Sequence, residues 1–391
     1  MNIFSNIHSF TTYEWVLVGL YLLFFTIQLV YYLYLYRKPY RYLSKNKNNE
    51  SKQINKNQYP GISIIITAKN EAQNLQKNLP LILEQDYPNF QVIVVNSGST
   101  DSSEDVLNNL LNTYNDKLYV TYLPVESEVI NDKKLALTIG IKAAKHDILL
   151  FTEADTKPLS KKWVNEYSKE FVKGKDVVLG GCKLKINKGF FKRFVLFDNL
   201  LFGVEYLSMA LIKRPFTGVE RNMAYRKNLF FENKGFSSIL NIEYGEDHLF
   251  INKIANSDNT SVLISPESMV ESDVVDRLST WRTIKGKYLI TKKHLVGYKD
   301  KALSFEIVSR YGFYLLFILM CVSGILFSSN PLIAIATILF LIRYLVQLIV
   351  VNKNSKIYNS DKYFLSLPIL DLFTPIINYH FLSYEMKRNE K

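Results

Sequence analysis

The sequence predicts an α/β domain built on a mostly parallel sheet, set between apolar segments long enough to cross a bilayer. Three observations predict it. Strand-like and helix-like runs alternate from Gly61 to Thr152, an uncharged apolar run of 22 residues covers Trp15 to Tyr36, and a second hydrophobic block begins near Ser309. Alternation of this kind implies parallel strands covered by helices.

The run from Trp15 to Tyr36 suffices, as a helix, to span the roughly 30 Å hydrocarbon core. No Lys or Arg precedes it and no small-residue cleavage site follows, so the expectation is an anchor and not a cleaved leader. Seven Lys/Arg and one acid lie between Arg37 and Lys56, about half of the net excess of +12. Basic residues directly after an apolar helix read as a contact to anionic lipid, and the positive-inside rule puts them, with the domain that follows, in the cytoplasm. Elsewhere no basic patch interleaves with aromatics, which argues against nucleic acid as a partner. Cys182 and Cys321 are far apart and lack metal-ligand spacing, so a disulfide framework is not expected and a reducing compartment fits.

In the C-terminal block, Tyr311–Phe327 and Leu332–Val351 read as two spans joined by the turn Ser328-Ser329-Asn330-Pro331. Arg343 interrupts the second; it either contacts a lipid-linked substrate or snorkels to the cytoplasmic end, the second being the expectation. Tyr363–Leu382 carries Pro368, Asp371 and Pro375, which point to an interfacial or re-entrant segment, with a fourth span as the alternative.

Between these blocks Lys45–Gln58 is a polar linker. Gly61–Ala68 is a β-branched run fit for a buried strand, and Asn70–Gln85 has helical spacing. Gln91–Val95, Leu118–Leu123 and Asp147–Thr152 read as further strands, with helices over Asp101–Thr113 and Lys133–Lys145. Ligands of parallel sheets bind beyond the carboxyl ends of the strands. After the first strand stands Thr67-Ala68-Lys69-Asn70-Glu71, after the second Asn96-Ser97-Gly98-Ser99-Thr100-Asp101, and after the fourth Glu153-Ala154-Asp155.

These motifs resemble those of the family 2 glycosyltransferases with a GT-A fold, bacterial membrane-bound members in particular. The resemblance rests on the Asn-Glu pair, the Gly-Ser-x-Asp turn and the acid-x-acid motif. It continues through Asp132-Lys133-Lys134-Leu135-Ala136-Leu137 and Gly245-Glu246-Asp247, covering roughly Gly61 to His294. It implies a nucleotide-diphospho-sugar donor contacted by Ala68, Glu71, Ser97, Lys133 and Glu153. A divalent Mg or Mn ion would be held by Asp155 and Glu153, Asp155 being the stronger ligand candidate. Two carboxylates at i and i+2 past a strand can both face such an ion, which prefers oxygen ligands and bridges diphosphate oxygens.

The family's base-reading Asp is replaced by Ser97, and its usual first Asp of the acid-x-acid motif by Glu153. Asp101 with Glu104 reads as a helix capping box. Glu71 either touches the nucleotide or complements its helix N-terminus. Lys133 is either a phosphate contact or part of a solvated helix face. The resemblance implies that Asp247 takes the acceptor proton and Glu246 orients it, with His248 a structural helix residue. Phe216-Thr217-Gly218-Val219-Glu220-Arg221-Asn222 resembles a segment near the acceptor pocket. There Arg221 and Asn222 are acceptor or phosphate contacts, with a buried structural pair as the other reading for Arg221. In Trp281-Arg282-Thr283-Ile284-Lys285-Gly286-Lys287, Ile284 stands where processive relatives carry Gln. Lys285 and Lys287 either meet the leaving diphosphate or belong to a basic amphipathic segment on the membrane.

The expected organisation is an anchor over 1–40, a linker over 41–59, a cytoplasmic GT-A domain over 60–300 and a membrane hairpin with an interfacial segment over 301–391. The expected activity is inverting sugar transfer to a lipid, lipid-linked saccharide or growing polysaccharide at a bacterial-type inner or plasma membrane. The alternatives are a processive polysaccharide synthase and a catalytically silent scaffold that keeps the fold.

Overall fold

The computed structural model describes residues 10–46, 59–123, 132–186, 189, 191–273, 275–297 and 301–389. It begins with α1 (Thr12–Val30), a π-helical stretch (Tyr31–Tyr36) and α2 (Lys38–Asn46), which together form one helix of 35 residues. The first part of the expected linker is thus helical, and 47–58 lie outside the described residues. Next come β1 (Ile62–Ala68), α3 (Ala72–Leu83), β2 (Phe90–Ser97), α4 (Ser103–Thr113), β3 (Leu118–Leu123), α5 (Asp132–Ala143) and β4 (Ile148–Phe151), in the order expected. Then follow β5 (Thr156–Pro158), α6 (Trp163–Val172), β6 (Val177–Gly180), β7 (Cys182–Leu184), α7 (Lys192–Leu211), β8 (Met223–Arg226), α8 (Lys227–Glu232), α9 (His248–Ile254), β9 (Thr260–Leu263) and β10 (Val270–Ser272). Four helices finish the chain: α10 (Leu278–Lys292), α11 (Lys301–Leu326), α12 (Asn330–Ser355) and α13 (Ser366–Asn389).

The main sheet has the order β3-β2-β1-β4-β8-β6-β9. β1 to β4 are parallel, and β8 runs antiparallel between β4 and β6. Alternate side chains face opposite layers, as the two-residue period of a strand requires. Ile62, Ile64 and Ile66 pack with Leu75 and Leu79 of α3 and Trp163 and Tyr167 of α6. Ile65, Ile93, Val95 and Phe151 face Ala136 and Ile141 of α5 and Phe197, Leu200 and Val204 of α7. Each fully buried aliphatic side chain of this kind stabilises the fold by about 1.5–3 kcal/mol. A β5-β10-β7 sheet, absent from the sequence-based expectation, pairs segments from three distant parts of the chain.

Among the described residues, four helical stretches are long and apolar enough to cross a membrane by length and composition: Thr12–Asn46, Lys192–Leu211, Lys301–Leu326 and Asn330–Ser355. The second is α7, whose apolar residues pack into the sheet's core; hydropathy alone does not distinguish a core helix from a span. Leu17 and Tyr21 of α1 pack with Phe313 and Met320 of α11 and Leu332 and Ala336 of α12. The core cluster under the sheet also includes Tyr32, Tyr36, Val350 and Val351, so domain and helices share one apolar interior. The π-helical stretch leaves a carbonyl that Asn354 completes, its Nδ2 donating to Tyr36 O at 2.8 Å.

One expectation for the C-terminal part is corrected, that for Arg343. α13 is continuous through Pro375, and its Asp371 is 1% exposed. Arg343 does not snorkel. It is 1% exposed, and its Nη2 lies 2.8 Å from Asp371 Oδ2 and donates to Gln28 Oε1 at 2.8 Å. A charge finds its partner across the bundle, so neither side chain has to reach water.

Candidate active site

The carboxyl edge of the sheet is assembled by cross-links between its first two loops. Asn70 adopts the left-handed conformation with φ 59°, which a short amide side chain tolerates. Its Oδ1 accepts from Thr100 N at 2.8 Å, while its own N–H donates to Ser99 Oγ at 2.9 Å. Ala72 N donates to Asp101 Oδ2 at 3.1 Å and Glu71 N to Ser103 Oγ at 3.0 Å. The expected Asp101–Glu104 capping box does not form. Ser102 is the N-cap of α4, and Asp101 spends its second oxygen on Ser103 N at 3.0 Å. Asp101 therefore ties the start of α3 to the start of α4. Glu71 caps α3 in position and accepts from Asn74 Nδ2 at 2.6 Å. Burial raises its carboxyl above the ordinary range, with Asp155 and Glu153 adding repulsion. Ala68 and Ser97 end β1 and β2 as buried residues, 2% and 8% exposed, and floor this edge.

Past β4 the acids meet two cations. Arg221 Nη2 lies 2.6 Å from Glu153 Oε2 and 3.2 Å from Asp155 Oδ2. Asp155 Oδ1 accepts from Thr156 Oγ1 at 2.7 Å and Ser272 Oγ at 3.3 Å. Lys133 keeps 41% of its side chain exposed and turns its ammonium to three acids. Its Nζ lies 2.9 Å from Glu153 Oε1, 3.0 Å from Glu220 Oε2 and 3.4 Å from Glu246 Oε1. Burial alone would lower this ammonium, but Glu153, Glu220 and Glu246 together hold it well above the ordinary range. Burial pushes Glu153 the other way from its partners, and Arg221 and Lys133 bring it down to about 2. Glu220 is pushed up to about 8 chiefly by burial, which Lys133 opposes and Glu153, Glu246 and Asp247 reinforce.

Asp247 is the N-cap of α9 and accepts from His248 N at 2.7 Å and Glu220 N at 3.1 Å. Gly245 before it has φ 100°, a conformation that favours glycine. His248 is held structurally: its Nδ1 is 2.9 Å from Thr217 Oγ1, and its ring packs 4.7 Å from that of Tyr288. The segment Glu220–Arg221 thus joins the two acidic elements, its backbone holding Asp247 while its guanidinium holds Glu153 and Asp155. Asn222 is a correction. It is 1% exposed, and its amide is committed to Trp163 Nε1, Tyr167 Oη, Gly181 O and Ser268 O, so it positions Arg221 and has no free group for a substrate.

Beside Asp247 a cavity opens to solvent, lined among others by Arg221, Asp247, His248, Phe202, Trp281, Ile284, Lys285, Tyr288 and Tyr358. Lys285 is not on a solvated basic face. It is 7% exposed, and its Nζ lies 2.9 Å from Asp198 Oδ1. Asp198 also accepts from Trp281 Nε1 at 3.0 Å and Asn378 Nδ2 at 3.1 Å, which fastens α7, α10 and α13 together. Lys287 lies over the Tyr244 ring at 4.3 Å; burial lowers its ammonium, with Lys133 next in effect. Asp198, Glu220 and Tyr358 are the site-forming residues that sequence reasoning missed. Glu220 had a usable signal, a carboxylate directly before Arg221 in a motif already singled out.

A divalent ion fits part of this arrangement. Oxygens of Glu153 and Asp155 converge on one cationic point, now taken by Arg221 Nη2. Among the described residues no group of three His, Cys, Asp or Glu side chains is placed to hold a metal by itself. An ion bound here would draw its other ligands from diphosphate and water, as Mg²⁺ commonly does.

Residues 63–235 match the family model described as glycosyl transferase family 2. Among curated relatives, the poly-β-1,6-N-acetyl-D-glucosamine synthase of Staphylococcus epidermidis is 28% identical over 127 residues, 32% of this chain and 28% of that protein. The protein of the same description from Staphylococcus aureus (strain COL) is 27% identical over 108 residues, 28% of this chain and 25% of that one. The chain therefore matches only about a quarter of the length of these relatives. Among solved structures, a mannosyltransferase from Pyrobaculum calidifontis in complex with GDP-Man and Mn2+ aligns over 90% of this chain and 99% of its own, at 17% identity and a TM-score of 0.55. That likeness carries the fold, which is GT-A.

Proposed function

We propose that the protein is an inverting glycosyltransferase. It would take a sugar from a nucleotide-diphospho-sugar to a membrane-associated acceptor at the cytoplasmic face of a membrane. The observation that carries this reading is the Glu220–Arg221 segment, which fixes the Glu153/Asp155 pair and Asp247 relative to one another beside an open cavity.

In this reading the donor lies over Ala68, Ser97 and Glu71, with Lys133 and Lys287 near its diphosphate. Asp155 and Glu153 would hold a divalent ion, which offsets negative charge on the departing diphosphate. Asp247 takes the proton of an acceptor hydroxyl as that oxygen attacks the anomeric carbon. The new bond forms between acceptor oxygen and anomeric carbon, the bond from that carbon to phosphate oxygen breaks, and the nucleoside diphosphate leaves. Both Asp247 oxygens accept one backbone N–H and keep further lone pairs, so the carboxylate is aimed without being saturated. Glu246 stands beside it, one oxygen toward Lys133. Asp198 holds Lys285 and Trp281 on the cavity wall, where an acceptor would enter.

The domain limits of this reading are an anchor over 1–40, a catalytic domain over 60–300 and a membrane-associated helical part over 301–391. The relatives' description as polysaccharide synthases favours repeated transfer as the second reading. The test is nucleotide release by the purified full chain from a panel of UDP- and GDP-sugars with and without Mn²⁺. Metal-dependent release from one donor is expected. No release and no binding with any donor would leave the silent scaffold as the better account.

A further inference from the structure

Tyr358 lies between α12 and α13, far outside the matched family region, yet its side chain lines the cavity beside Asp247. It is 4% exposed, and its hydroxyl has no hydrogen-bond partner in the structure. The ring is seated through a gap in α7. A Cβ on Gly203 would lie 2.1 Å from the hydroxyl oxygen and 2.5 Å from Cζ, and one on Gly181 would lie 3.6 Å from the same oxygen. Gly203 thus makes room for a phenol whose polar end has no hydrogen-bond partner among the described residues, while a Cβ on Gly181 would only touch it. A phenylalanine would fill the slot equally well and avoid the cost of an unmet buried hydroxyl.

A second polar group of the same cavity is in the same condition. Arg221 Nε is buried without a partner, although Nη2 of that guanidinium is occupied by Glu153 and Asp155. The cavity's remaining walls are largely aromatic, with Phe202, Trp281 and Tyr288. The residues assigned above to the donor, Ser97, Glu71 and Lys133, do not line it. Both unmet atoms are closed off from solvent in this structure; a ligand that completes Tyr358 would come from the cavity that its side chain lines, on the acceptor side, and would carry oxygen atoms against flat apolar faces. That is the chemistry of a saccharide: hydroxyls at the ring edge, C–H groups on its face.

We propose that the Tyr358 hydroxyl is an acceptor-recognition group that hydrogen-bonds a hydroxyl of a saccharide acceptor held in this cavity. The proposal rests on the glycosyltransferase reading above. It makes the C-terminal helical part a contributor to acceptor choice as well as to membrane attachment.

The test compares wild type and Tyr358→Phe, each as purified full chain. Three quantities are read: thermal midpoint, nucleotide release from the donor without acceptor, and transfer to β-1,6-linked N-acetylglucosamine oligomers. Tyr358→Phe is expected to melt at the wild-type temperature or above and to release nucleotide without acceptor at the wild-type rate. Its KM for the oligomers should rise about tenfold, the effect of one lost hydrogen bond, with kcat within about twofold. A lower melting temperature would mean the hydroxyl is bonded within the protein and would overturn the proposal. An unchanged KM would overturn it too, and so would an equal fall in acceptor-free release, which would put the hydroxyl on the donor. A wild type that releases nucleotide but ignores the oligomers removes the saccharide assignment and spares the donor site. A wild type that turns over no donor removes the underlying reading as well.

Discussion

Two clusters of charged residues in the molecule are built on opposite plans. In the helix bundle, two arginines face two acids. Arg310 pairs with Glu306 and, at 3.2 Å, with Asp371; Arg343 pairs with Asp371 at 2.8 Å. Gln28 and Tyr314 complete the group, at 2.8 Å from Arg343 and 2.9 Å from Asp371. At the sheet's edge, Lys133 and Arg221 face Glu153, Asp155, Glu220 and Glu246, with Asp247 alongside. Oxygens of Glu220 and Glu246 and the Nε of Arg221 lack hydrogen-bond partners there, and the cavity opens next to them. The balanced cluster pairs every arginine with an acid, leaves a single buried amide donor at its margin unmet (Gln347 Nε2), and serves to fix helices. An unbalanced one beside a cavity keeps unspent bonding capacity, which is what a substrate site requires.

The comparison is tested most severely by one carboxylate. Asp247→Asn keeps the shape but only one of the two backbone hydrogen bonds, since its Nδ2 cannot accept the other N–H, and it removes the proton acceptor, so transfer should fall by about 10²–10⁴-fold with the melting temperature lowered by only about 1–3 °C. Initial-rate assays beside thermal melts check both halves. In the bundle the expected effects invert. Arg343→Ala leaves Asp371 with one guanidinium fewer and should cost about 3–5 kcal/mol of stability, read by denaturation in detergent. Any loss of activity there should track the loss of folded protein.

A smaller effect concerns pH. Glu220 ionises near 8 in the folded protein against an ordinary value of 4.5. Folding therefore favours its protonated form, so this contribution is complete below about pH 4.5 and is lost as pH rises through 8. Glu220→Gln stays uncharged throughout and should lack that loss. Between pH 6 and pH 9 the wild-type melting temperature should fall by roughly 3 °C more than the variant's. Parallel curves would mean that Glu220 is already ionised at pH 6.

The two clusters also differ in how far the sequence discloses them. The edge was largely legible because its acids and Lys133 come from segments just past or opposite strand ends, and β-branched runs such as Ile62–Ala68 mark those strands. The bundle was not, because hydropathy registers Asp371 and Arg343 as interruptions when each is the other's partner on a different helix. The same limit hid Asp198, which sits in an apolar helix and acquires meaning only from Trp281, Lys285 and Asn378. Asp101 misled for the opposite reason. A valid local rule, the capping box, lost to a longer-range bond to Ala72. Lys285 stood between a diphosphate contact and a basic segment on the membrane because an isolated basic segment carries no sign of the buried carboxylate waiting for it.

The central claim is that the unbalanced edge is a donor site with separate binding and proton-accepting acids. It is tested most directly by calorimetric titration of the preferred nucleotide-sugar, with Mn²⁺ present, into wild type, Asp155→Ala and Asp247→Asn, each also assayed for transfer. Asp247→Asn is expected to bind the donor as wild type does and to transfer nothing measurable, whereas Asp155→Ala should lose metal-dependent binding. Wild-type transfer by Asp247→Asn, or undiminished metal-dependent binding by Asp155→Ala, would contradict it.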